Sequence, residues 1–135
     1  MQWVAEKVEE TINLDIEATN ALTLNDFDEL EAIAEITYDK TYNYYLQVQQ
    51  FSVSSSDAKK LKEHTTLFFY YHYKSSKALK NYAYYMKIDD PFTASVYADE
   101  ELKYFDRVTE EAEVIEDILN EHNITFKIDK ELIPQ

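Results

Sequence analysis

The chain has 135 residues, two prolines, no glycine and no cysteine, and its 13 basic and 27 acidic residues give a formal net charge of −14. The length fits one domain with one substantial core. Without glycine there is no P-loop, G-x-G-x-x-G turn or nucleophile elbow, and without cysteine no disulfide, cysteine-ligated zinc, iron–sulfur cluster or thiol catalysis.

The first predicted helix runs from about residue 2 to 22. Val4, Val8, Ile12, Ile16 and Thr19 fall on one side, and Leu14, Ala18 and Ala21 widen it. Thr23-Leu24-Asn25-Asp26 breaks it and supplies N-cap residues for the next. The second helix spans about 26–51, with Phe27, Leu30, Ala34, Thr37, Thr41, Tyr44, Val48 and Phe51 recurring at steps of three and four. Val53-Ser54-Ser55-Ser56 connects it to the third, with Ser56 as the expected N-cap.

The third helix spans about 57–88, and its stripe is Leu61, Thr65, Phe68, His72, Ser75, Leu79, Tyr82 and Met86. Asp89-Asp90-Pro91 stops it and starts the fourth, because the residue before proline leaves the helical region. The fourth spans about 91–122, with Ala98, Leu102, Phe105, Val108, Ala112, Ile115, Leu119 and His122 as its core positions. Residues 124–128 alternate like a short strand at the start of a C-terminal extension. Short connections between long helices favour antiparallel neighbours, so the expected fold is all-α, a single up-down-up-down four-helix bundle.

Charge supports this order. Residues 1–22 carry −4, 23–53 carry −5, 54–88 carry +5 and 89–123 carry −10. The one basic helix would lie between two acidic ones. Each ion pair is worth little, but the pattern opposes other helix orders.

Few constellations carry chemistry. His72 on the core stripe, with Thr65 and Ser75 near the same face, marks a core polar site and a candidate for sensing a small molecule. Di-iron bundles need Glu-x-x-His on two helices, but Leu61, Phe69 and Leu119 precede the three histidines at that spacing. No metal or cofactor site is expected.

Two surfaces stand out. Tyr70, Tyr73, Lys77, Lys80 and Tyr84 fall opposite the core stripe of the third helix, forming an aromatic and basic row suited to a protein partner or a second copy of the chain. The competing reading has these tyrosines flanking a wide core with their hydroxyls outward. Asp99, Asp106, Glu110, Glu113, Asp117 and Glu121 form an acidic face on the fourth helix. Such a face is either a solvated helix surface or a mimic of nucleic-acid phosphates aimed at a host enzyme. Direct nucleic-acid binding is not expected, because the charge is acidic and Arg107 is the single arginine.

The stretch 78–91 resembles the end of a tetratricopeptide repeat but has no second copy. The tyrosine-rich third helix resembles HEPN-type bundles but lacks the arginine–histidine signature of their nuclease members. Neither family is adopted. With no secretory signal and no apolar run long enough to cross a bilayer, a cytoplasmic, non-catalytic interaction protein is the expected function.

Overall fold

The computed structural model describes residues 1–126. Four α-helices follow in order: α1 Gln2–Thr23, α2 Phe27–Val48, α3 Ser56–Lys87 and α4 Pro91–Glu121. There is no strand among the described residues. Residues 124–126 of the expected strand are irregular, and Lys127 and Ile128 lie outside the described residues.

α3 packs closely against α2 on one side and α4 on the other, while α1 lies against α2. Cross-helix contacts fix the directions. Phe27 at the start of α2 meets Tyr82 near the end of α3, and His122 after α4 meets Asp57 at the start of α3. The chain is an antiparallel, up-down-up-down four-helix bundle. No described helix is long and apolar enough to cross a membrane.

The basic helix does sit between acidic neighbours. Lys80 reaches Glu35 at 3.4 Å and Lys87 reaches Asp28 and Glu31 on α2, while His64 meets Glu111 at 2.6 Å on α4.

The helix ends show how a chain without glycine turns. Asn25, Asp89 and Asn123 all take left-handed φ, at 53°, 58° and 61°. Each sits just past a helix, where glycine is usual because it lacks the Cβ that clashes there. The amides after them close back on the helices: Asp26 N–H donates to the Ala21 carbonyl, Asp90 to Tyr85 and Ile124 to Leu119, each at 2.9 Å.

Asp26 and Asp90 then cap the next helix, accepting from Glu29 N–H and Thr93 N–H at 3.1 Å. The same two-residue device, a left-handed Asn or Asp followed by a capping Asp, thus makes both the α1–α2 and α3–α4 turns. Asn25→Gly, Asp89→Gly and Asn123→Gly should each raise stability by about 0.5–1 kcal/mol, because glycine relieves the left-handed strain. Urea midpoints at unchanged m-value measure this. A fall in midpoint for all three would show the turns to be unstrained.

Two boundaries differ from expectation. α3 is capped by Ser55, whose hydroxyl accepts from Ala58 N–H at 3.1 Å, one residue before the expected Ser56. α2 ends at Val48 rather than Phe51. The chain leaves the helix there so that Phe51 can set its ring against Trp3, at 4.8 Å between centroids.

α1, α2 and α4 each turn inward a line of residues at strictly alternating steps of three and four, the knobs-into-holes period, while α3, packed between two neighbours, also buries Phe69, Ser76, Ala78 and Ala83 off its expected stripe. On α2 the line is Leu30, Ala34, Thr37, Thr41, Tyr44 and Val48, all buried as expected. On α1 it is Val4, Val8, Thr11, Asp15 and Ala18, so Thr11 is fully buried while Ile12 and Ile16 are half-buried and Thr19 is exposed. On α4 it is Ala94, Ala98, Glu101, Phe105, Val108, Ala112, Ile115 and Leu119. Leu102, expected in the core, is 58% exposed, and Glu101 takes the inward place. His122 is exposed rather than buried.

The result is a core in two parts. One holds Val4, Val8, Tyr44, Val48, Leu61, Phe68, Phe69, Val108, Ile115 and Leu119. The other is smaller and alanine-rich: Ala18, Ala21, Leu30, Ile33 and Ala83. Asp15, His72, Ser75, Ser76 and Glu101 lie between them along the bundle axis, forming a polar waist.

Candidate functional site

The tyrosines form a patch rather than a row. Tyr38, Tyr42 and Tyr45 lie at i, i+4 and i+7 on α2, which places them on one face. Tyr70 and Tyr73 lie at i and i+3 on α3, beside that face. The Tyr73 ring touches those of Tyr38, Tyr42, Tyr45 and Tyr70 at 5.3–5.9 Å. Tyr38 and Tyr42 are stacked, and Tyr70 also meets Tyr71 edge-on.

Two cations cover parts of it. Lys74 Nζ sits 5.8 Å and 5.7 Å from the Tyr70 and Tyr73 ring centres. Arg107, reaching over from α4, lies 5.2 Å above Tyr71 and donates to its hydroxyl at 3.2 Å. Burial, together with the surrounding phenols, raises the Tyr73 pKa. Tyr42 is exposed and the other five tyrosines are half-buried, so the patch is anchored on the core side and open on the other.

Of the five residues expected in the α3 row, Tyr70 and Tyr73 are brought together here. Lys77 is exposed, and Lys80 is drawn aside by Glu35. Tyr84 lies eleven residues beyond Tyr73, about 16 Å along the axis. It belongs to a second group with Tyr85 and Tyr97, where the last two are stacked at 5.5 Å. Tyr38, Tyr42 and Tyr45 were not among the expected site residues. Their i, i+4, i+7 spacing on a helix adjacent to the third was the available signal.

The acidic face of α4 is intact as a surface. Asp99, Asp106, Glu110, Glu113, Asp117 and Glu121 are all exposed. Glu110 has Arg107 at 3.9 Å.

The polar waist is the third candidate. His72 is 2% exposed. Its Nε2 meets Asp15 Oδ2 at 2.9 Å and its Nδ1 meets Ser76 Oγ at 3.2 Å. The neighbouring Ser75 hydroxyl donates to Glu101 Oε1 at 3.2 Å. Thr65, expected beside them, is buried two turns earlier, and its hydroxyl oxygen has no hydrogen-bond partner. Asp15 and Glu101 are not among the expected site residues; each sits on the inward line of its helix.

An Asp–His–Ser order invites comparison with nucleophilic catalysis. Here Ser76 is 3% exposed and lies one turn from His72 on the same helix. Burial works against a charged His72, but the Asp15 carboxylate outweighs it and Glu101 adds to the effect, so the imidazole pKa is raised above 6.5. Burial raises the Glu101 carboxyl above 4.5, Asp15 adds to this, and Ser75 and His72 partly offset it.

Both shifts favour the protonated form in the folded state. The stability each contributes is complete below its unfolded pKa and is lost as pH rises through its folded pKa. The melting temperature should therefore fall as pH climbs from about 4.5 to beyond 6.5, and His72→Gln should flatten the upper part of that fall. Calorimetry across this range decides it. A melting temperature that rises with pH would contradict the assignment.

No group of three or more His, Asp or Glu residues suited to a metal occurs among the described residues. Comparison with protein-family models, with characterised proteins and with solved structures finds no match for this chain.

Proposed function

We propose that the protein is a non-catalytic interaction module that binds another protein through the tyrosine patch of α2 and α3. The observation that carries this reading is the clustering of Tyr38, Tyr42, Tyr45, Tyr70, Tyr71 and Tyr73 into one set of touching rings at the surface. Rings held by one another lose little rotamer freedom on binding, and each offers a large apolar face with a hydroxyl that tolerates water. Lys74 and Lys77 beside the patch complement the acidic face of α4, so a second copy of the chain is one partner of suitable chemistry.

The test is Tyr70→Ala with Tyr73→Ala, using Tyr84→Ala as the control off the patch. The double variant should weaken the complex recovered from native cells by about 30-fold or more, with helicity kept, while the control binds normally. Equal binding by all three proteins would sink the proposal.

A second reading has its own observation. The six carboxylates of the α4 face are exposed along one line, as a mimic of nucleic-acid phosphates would require. Under this reading the protein competes with DNA or RNA for a basic channel. Neutralising Glu110, Glu113 and Asp117 should then abolish the competition. Unchanged competition would remove this reading.

A further inference from the structure

We infer that the end of the bundle carrying the α1–α2 and α3–α4 turns docks an amphipathic, lysine- or arginine-bearing segment of another protein. The inference does not depend on the tyrosine patch, which lies around the middle of α2 and α3.

The first observation is exposed apolar surface. The up-down topology brings both turns to one end. Leu22 and Leu24 sit there beside the first turn, and Ile88, Phe92 and Val96 flank the second. Leu24 is 77% exposed and Phe92 83%. Phe92 and Val96 lie at i and i+4 on one face of α4, so they present a continuous surface. Scattered apolar side chains are ordinary on a monomer, but a set gathered on one end marks an interaction surface.

The second observation is the core beneath. This end lies over the alanine-rich cluster of Ala18, Ala21, Leu30, Ile33 and Ala83. The small residues bring the helices together but leave the large apolar ones outside. At the opposite end, Trp3 and Phe51 pack against each other over the main cluster.

The third observation is charge, and it selects the occupant. Asp26, Asp28, Glu29, Glu31, Asp89 and Asp90 surround the two turns. Lys87, the cation among them, is already paired with Asp28 and Glu31. A second copy presenting the same end would bring like charges together, and an anionic membrane would be repelled. A helix with leucine-like side chains on one face and cations at its edges matches both the apolar centre and the acidic rim.

The test uses an amphipathic leucine/lysine peptide about 18 residues long and its leucine/glutamate counterpart. Fluorescence anisotropy of the labelled peptides against the full chain, at physiological salt, reads the affinity. The leucine/lysine peptide should bind and the leucine/glutamate peptide should not. Leu24→Ser with Phe92→Ser should weaken binding about tenfold or more. Both side chains face solvent, so the variant should fold, as circular dichroism checks. Tyr70→Ala with Tyr73→Ala should leave the affinity unchanged, which separates this site from the tyrosine patch.

Equal binding to the Leu24/Phe92 variant would reduce the attraction to net charge and overturn the inference. So would failure of the leucine/lysine peptide to bind the wild-type chain. Vesicle binding, or a dimer in sedimentation, lost in the same variant would overturn it in favour of a lipid or a second copy.

Discussion

Asp15→Ala is expected to destabilise the protein by about 3 kcal/mol near pH 5.5, and by clearly less near pH 8. The reason is the partner it abandons. His72 is buried, and Asp15 Oδ2 is 2.9 Å from its Nε2. Near pH 5.5 the variant loses this charged pair and must bury His72 neutral while the unfolded chain keeps the proton, whereas near pH 8 the unfolded imidazole is already neutral and less is lost. Asp15→Leu with His72→Leu should recover most of the loss, since replacing a buried pair with apolar side chains is often neutral or better. Urea unfolding of the three proteins at both pH values is the measurement. A cost below about 1 kcal/mol at pH 5.5 would show that the pair adds nothing to the fold.

Phe69→Ala should cost about 3–5 kcal/mol, a large part of the 5–15 kcal/mol typical of a domain. Phe69 is fully buried, and its ring meets those of Phe68, Tyr44 and Trp3 at 5.1, 5.5 and 6.3 Å. No neighbour can swing into the space, because each of those rings is itself held by another contact. Leu30→Ala, in the alanine-rich cluster, should cost less, near 2–3 kcal/mol, because fewer large side chains surround it. Equal costs would show the two parts of the core to be packed alike.

The fold was largely legible because hydrophobic period and turn chemistry agree. On α2 the three-and-four stripe from Leu30 to Val48 is buried as expected, while Phe27 is half-buried and Phe51 lies past the helix end, and Asp26 and Asp90 are recognisable as caps. The reading failed where a charged residue sits on the inward line. Following the strict alternation on α4 from Ala98 leads to Glu101 and then Phe105. A preference for apolar residues chose Leu102 instead and hid half of the polar waist. On α1 the same preference chose Ile12 and Ile16 and hid Asp15. Both errors come from treating carboxylates as solvent-facing by default, a rule that fails where a histidine stands opposite.

The tyrosine patch was half legible. A helical projection of α3 alone puts Tyr70 and Tyr73 on one face of that helix, where the structure has them half-buried beside α2. It could not supply Tyr38, Tyr42 and Tyr45, because which face of α2 lies beside them is settled by packing between helices. It also grouped Tyr84 with residues about 16 Å away along the same helix.

The left-handed Asn and Asp residues at three helix ends have a counterpart in the denatured chain. Glycine makes up about 7% of average protein sequence, so a chain of this length would ordinarily hold about nine. Each glycine enlarges the set of backbone conformations that folding must surrender, by about 0.4–1 kcal/mol where another residue fits the native geometry. This chain starts from a narrower ensemble throughout and concentrates its backbone strain at Asn25, Asp89 and Asn123. Part of its stability therefore lies in conformations the unfolded chain never visits, and no contact in the folded bundle records it.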